Sequence, residues 1–68
     1  METMEELIKI LGPRFRGLWR SYTLTAREEL LDEWTVTFIW KGQYVETPSY
    51  SNPFQALNFA KEKIENGG

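Results

Sequence analysis

Apolar and polar residues alternate along residues 34–40, which read WTVTFIW. A period of two is the pattern of a half-buried β-strand, because successive side chains point to opposite faces of a sheet. One face of this segment carries only large apolar side chains: Trp34, Val36, Phe38 and Trp40. The pattern therefore predicts a strand with this face directed at the core.

A tight turn is predicted directly after this strand. Lys41 and Gly42 form a two-residue loop in which glycine supplies the positive φ that such loops require. Residues 43–48 (QYVETP) then return as the partner strand. A loop of this length sets the register, which pairs Trp40 with Gln43, Ile39 with Tyr44, Phe38 with Val45, Thr37 with Glu46 and Val36 with Thr47.

Two helices are predicted at the ends of the chain. Thr3 and Glu6 have the spacing of a capping box, and Gly12-Pro13 ends the apolar pattern that follows. Asn52-Pro53 opens the second helix, with a capping side chain followed by proline at the first helical position. The predicted apolar stripe of the first helix is Met4, Leu7, Ile8 and Leu11. That of the second is Phe54, Leu57, Ala60 and Ile64, with Ala56 beside them, and this helix closes at Asn66-Gly67-Gly68.

The segment between the first helix and residue 34 contains a further strand and a connection for which the pattern allows two structures. Residues 18–25 (LWRSYTLT) predict a strand, with Leu18, Arg20, Tyr22 and Leu24 on one face and Trp19, Ser21, Thr23 and Thr25 on the other. Residues 26–33 (AREELLDE) favour a short helical turn, because Thr25 and Glu28 have capping-box spacing. A long solvated hairpin loop is the alternative.

These elements predict one α+β domain over residues 1–68, of order α-β-β-β-α. Both helices cover the apolar side of a three-stranded antiparallel sheet and leave its other side open. The chain has no Cys or His for disulfides or zinc, but it has three Trp, three Tyr and four Phe. Aromatic packing, alone or together with a homodimer interface, must therefore supply a stability of about 3–5 kcal/mol for a core this small.

Composition argues against catalysis. Without His or Cys, the chain lacks the usual general base near neutral pH and the most reactive nucleophile. The serines Ser21, Ser49 and Ser51 stand in no nucleophile-elbow pattern. We interpret the acids of residues 28–33 as a solvated charged stretch, and we expect no metal and no cofactor. The lack of cysteine and of a long apolar run leads us to expect a cytoplasmic protein that does not enter membranes.

The open sheet face is the first candidate site. Ile39 and Tyr44 form an apolar pair that the helices should not cover, and Trp19 and Thr37 share this face. An exposed apolar pair rimmed by polar groups can mark a protein-binding or self-association site. It can equally be local sheet stabilisation.

A basic segment is the second candidate. Arg14, Arg16, Arg20 and Arg27 are interleaved with Phe15 and Trp19, and no acid lies between Lys9 and Arg27. Arginine beside aromatic residues suits phosphate contact with base stacking, so nucleic-acid binding is the alternative function. A net charge of −2 and pairing of these arginines with the acids of residues 28–33 argue against it.

The element order resembles that of the double-stranded-RNA-binding domain, best over residues 34–64. That family grips phosphates with a Lys-Lys-x-Ala-Lys run at the start of its last helix. If its alanine is placed on Ala56, Pro53, Phe54 and Leu57 stand where lysines belong. The family's Gly-Pro-x-His loop is also missing from residues 26–33. The resemblance therefore implies a fold without its RNA-binding residues.

Overall fold

A computed structural model describes residues 3–67 and confirms the α-β-β-β-α order and the antiparallel three-stranded sheet. The elements are α1 (Met4–Leu11), a 3₁₀ turn (Gly12–Arg14), β1 (Phe15–Leu24), β2 (Leu30–Trp40), β3 (Gln43–Glu46) and α2 (Pro53–Asn66). The strands follow one another in the order β1-β2-β3. Gly68, which the sequence places at the end of the second helix, lies outside the described residues.

The helix ends form as their local residues predict. The Glu6 N–H donates to the Thr3 hydroxyl at 3.1 Å, which satisfies one of the amides left free at a helix start. Gly12 ends α1 with a φ of 58°, a conformation that glycine adopts without penalty. At the start of α2, the Phe54 N–H donates to the Asn52 side chain at 2.7 Å.

The β2–β3 hairpin has the predicted register. Lys41 and Gly42 both have positive φ, as two-residue loops of this kind require. The return strand, predicted to reach Pro48, ends at Glu46. Beyond it, the Val36 N–H donates to the Thr47 hydroxyl instead of to a main-chain carbonyl, at 3.0 Å. This buried hydroxyl lets the chain leave the sheet without orphaning a core amide.

The helical turn predicted for residues 26–33 is wrong. β1 and β2 continue towards each other until Leu24 pairs with Leu30. The Glu28 N–H donates to the Thr25 carbonyl at 3.0 Å and Glu28 has a φ of 62°, so the loop is a short turn with one left-handed residue. The Thr25 hydroxyl accepts from the amides of Arg27 and Glu29. An eight-residue helix is marginal alone, and strand pairing satisfies more backbone groups here.

The core lies between the helices and one face of the sheet. Phe38 and Val36 are fully buried on this face, and both helices cover it. Among residues 3–67, the buried apolar residues are Leu7, Leu11, Val36, Phe38, Ala56, Leu57 and Ala60. One assignment in the second helix is wrong, because Phe54 is 40% exposed. Ala56, which the sequence placed beside the stripe, is fully buried.

Candidate functional site

The four residues predicted for the open sheet face do share that face. The register pairs Ile39 with Tyr44 and Gly17 with Thr37, and directly paired residues of an antiparallel sheet point the same way. Trp19 lies two residues from Gly17 along β1 and therefore joins them. The helices cover the opposite face, so Trp19, Thr37, Ile39 and Tyr44 lie on the side that the helices leave open.

Trp19 is held in one orientation although 56% of it is exposed. Its indole lies against the backbone of Gly17, where an added Cβ would come within 2.7 Å of the ring atom Cζ2. The indole Nε1–H also donates to the Thr37 hydroxyl across the strand pair, at 2.8 Å. Gly17 therefore makes room for the ring and Thr37 orients it.

Tyr44 and Ile39 continue the apolar surface around Thr37. Tyr44 is 73% exposed and Ile39 is half-buried beside it. A large aromatic side chain can bury about 150–250 Å², so Trp19 and Tyr44 together offer roughly 200–300 Å² to a partner. Rigid aromatic groups with a polar end are the side chains that most often anchor protein interfaces.

The role of Gly17 was missed by reasoning from the sequence alone. A signal was available, since a glycine inside a strand often marks a place where another group comes close to the backbone. The sequence pattern began the strand at Leu18 and so left Gly17 outside it. In the structure β1 starts at Phe15, and the pairing with β2 is irregular between Phe15 and Gly17.

Arg20 lies on the other face of the sheet, away from Trp19. Its guanidinium lies 4.9 Å from the ring centre of Tyr22 and 5.3 Å from that of Trp34. It also forms an ion pair with Asp32, with 3.0 Å between nitrogen and oxygen. The interpretation that arginines pair with the acids of residues 28–33 therefore describes Arg20. One of its donors is bonded to Asp32, and its guanidinium group lies near two aromatic rings.

The other arginines of the candidate nucleic-acid site are spread along the molecule. Arg14 lies in the 3₁₀ turn, Arg16 at the irregularity in β1, and Arg27 in the distal hairpin loop. At about 3.3 Å per residue, Arg16 and Arg27 stand roughly 30 Å apart. The structure does not bring Arg14, Arg16, Arg20 and Arg27 together on one surface.

An open groove of about 380 Å³ lies beside the distal part of β2. Its lining comes from β2 and from the segment before α2: Leu30, Leu31, Asp32, Glu33, Ser49, Tyr50 and Ser51. Within residues 3–67, no three acidic side chains converge on a point that could hold a metal ion. The groove shares no residue with the open-face site.

Comparison with known proteins finds no matching family model, no matching curated protein and no matching solved structure. The structure supports a small α+β fold with a three-stranded antiparallel sheet. Neither of the helices in the described part of the chain is long and apolar enough to cross a bilayer.

Proposed function

We propose that this chain is a non-enzymatic interaction module that binds another protein through the open sheet face. Trp19, Thr37, Ile39 and Tyr44 form the contact surface. The observation that carries the proposal is Trp19, an indole that is more than half exposed and yet held in place by Gly17 and Thr37.

Orientation of the indole before binding favours affinity. Immobilising a flexible side chain at an interface costs about 0.5–1.5 kcal/mol. The contact with Gly17 and the 2.8 Å hydrogen bond to Thr37 restrict Trp19 in the free protein, so less of this cost falls on association. Tyr44 adds a second aromatic group with few rotatable bonds.

The size of the domain suits a regulator or inhibitor that acts by binding a larger protein, since a domain this small offers one small binding face. The lack of His and Cys in the sequence supports a role without catalysis. A cytoplasmic location is part of this proposal, supported by the lack of cysteine. A fold like that of the double-stranded-RNA-binding domain is also proposed, on element order alone.

Affinity capture with matched variants tests the contact surface. The immobilised wild-type chain, Trp19→Ala and Phe54→Ala are each exposed to lysate of the source cells, and the retained proteins are quantified. Phe54 is an exposed aromatic residue on α2, so Phe54→Ala controls for nonspecific binding that any exposed aromatic side chain would contribute. We expect specific proteins to be retained by the wild type and by Phe54→Ala and to be lost with Trp19→Ala.

A nuclease arm separates the two candidate functions. Retention through the open face should survive nuclease treatment and fall little at higher salt. Retention through phosphate contacts should vanish with nuclease and fall steeply with salt. The proposal fails if every retained protein is lost with nuclease, or if Trp19→Ala retains the same proteins as Phe54→Ala.

A further inference from the structure

β1 is an edge strand whose outer side has no neighbour among the described residues. The Thr25 N–H donates to Glu29 across the hairpin at 2.9 Å, so Thr25 directs its backbone groups at β2. Backbone direction alternates along an antiparallel strand. The N–H and C=O groups of the even-numbered positions therefore point outward, at Leu18, Arg20, Tyr22 and Leu24.

This edge has few of the features that usually prevent strand addition, which include proline, projecting charges and very short length. β1 is ten residues long and contains no proline. The charge of Arg20 is turned towards Asp32 and two aromatic rings. The irregularity after Phe15 interrupts only one end.

The distal part of the β1–β2 hairpin also extends beyond the helices. On the helix-side face, Tyr22, Leu24 and Leu30 are 57%, 63% and 69% exposed. The radius of gyration is 12.9 Å, against about 10.9 Å expected for a compact domain of this length. The surface of 4966 Å² likewise exceeds the roughly 4,450 Å² expected for a monomer of this mass.

We propose that a second copy of this chain covers the edge, with the two β1 strands paired antiparallel about a two-fold axis at Ser21. Pairing joins the two sheets into one of six strands. Closed two-fold pairing also satisfies both edges at once, so no free β1 edge remains for further addition.

Charge favours an axis at Ser21 over one at Arg20. A two-fold axis at Arg20 would place two guanidinium groups opposite each other, which is unfavourable. An axis at Ser21 instead pairs Arg20 with the partner's Tyr22 and Leu18 with the partner's Leu24. The only charged residues of β1 are Arg16 and Arg20, and in this register neither lies opposite another charge.

The same register explains the uncovered hairpin end. Leu18 packs against the hydrophobic core, so the partner's Leu24 would lie at the flank of that core. The exposed apolar residues at the hairpin end of each copy would thus be covered by the helices of the other copy. This removes apolar surface from water, which is the main driving force for association. The inference does not depend on the function proposed for the open face.

Single-cysteine cross-linking tests both the interface and its register, because the chain has no cysteine of its own. An axis at Ser21 brings its two copies to a Cα separation of about 4.5 Å, within the range of a disulfide. Thr23 is the matched control on the same exposed face, and its two copies would lie roughly 13 Å apart. Under mild oxidation we expect a disulfide dimer with Ser21→Cys and little with Thr23→Cys.

Sedimentation of variants without cysteine supplies an independent measurement. The wild type should sediment at twice its 8.0 kDa mass, and Leu24→Lys should remain folded but monomeric. Leu31→Lys makes the same chemical change on β2, away from the proposed contact, and should remain dimeric. The proposal is overturned if the wild type is monomeric up to about 1 mM, a range in which even weak association is measurable. It is also overturned if Ser21→Cys cross-links no faster than Thr23→Cys.

Discussion

Truncating Phe38 should remove most of the stability of this domain. Phe38 is fully buried on the helix-covered face of β2, and removal of a buried phenyl ring costs about 3–5 kcal/mol. A domain under about 80 residues has roughly 3–5 kcal/mol in total, so Phe38→Ala should be largely unfolded in water. Far-UV circular dichroism with urea titration measures this directly.

Tyr44→Ala is the control for the loss of an aromatic ring. Tyr44 lies on β3, on the opposite face of the sheet, and is 73% exposed, so its truncation should change stability by no more than about 0.5 kcal/mol. Both variants are measured at one protein concentration, because association raises apparent stability. A cooperative transition of Phe38→Ala near that of the wild type would refute the account of the core.

Three further substitutions test particular contacts. Thr47→Val removes the hydroxyl that accepts from the Val36 amide. The unpaired buried N–H should lower the free energy of unfolding by about 1–3 kcal/mol, which urea unfolding measures. Thr47→Ser, the control, should keep the hydrogen bond. Gly17→Ala should displace the Trp19 indole while the chain stays folded, seen as a shift of that indole N–H in proton NMR; an unchanged resonance would contradict the packing. Arg20→Met should change stability by less than about 1 kcal/mol because its ion pair is exposed, and thermal melting at two salt concentrations checks this.

The features that the sequence predicted well depend on residues within a few positions of each other. Thr3 accepts from Glu6, and Asn52 accepts from Phe54. A two-residue loop at Lys41 leaves only one register for the hairpin. Caps and tight turns of this kind are decided locally, so the pattern of residue types was sufficient.

The errors arose where distant parts of the chain compete. Residues 26–33 contain good helix formers, but pairing of Leu24 with Leu30 satisfies their backbone in a sheet. Phe54 stands at an apolar position of the second helix, yet it is 40% exposed, whereas the neighbouring Ala56 is fully buried. A small side chain lets α2 approach the sheet closely. The apolar pattern of the sequence does not give the distance between helix and sheet, which decides which side chains are buried.

For the candidate site, the sequence by itself determined that Thr37, Ile39 and Tyr44 share the open face, because the strand period and the β2–β3 loop decide that together. Only the tertiary structure decided that Trp19 is held against Gly17 and bonded to Thr37, and that Arg20 turns away to Asp32. These contacts join positions 12 to 18 residues apart along the chain or depend on where β1 begins. Their geometry follows from strand pairing across the sheet, which local residue patterns do not specify.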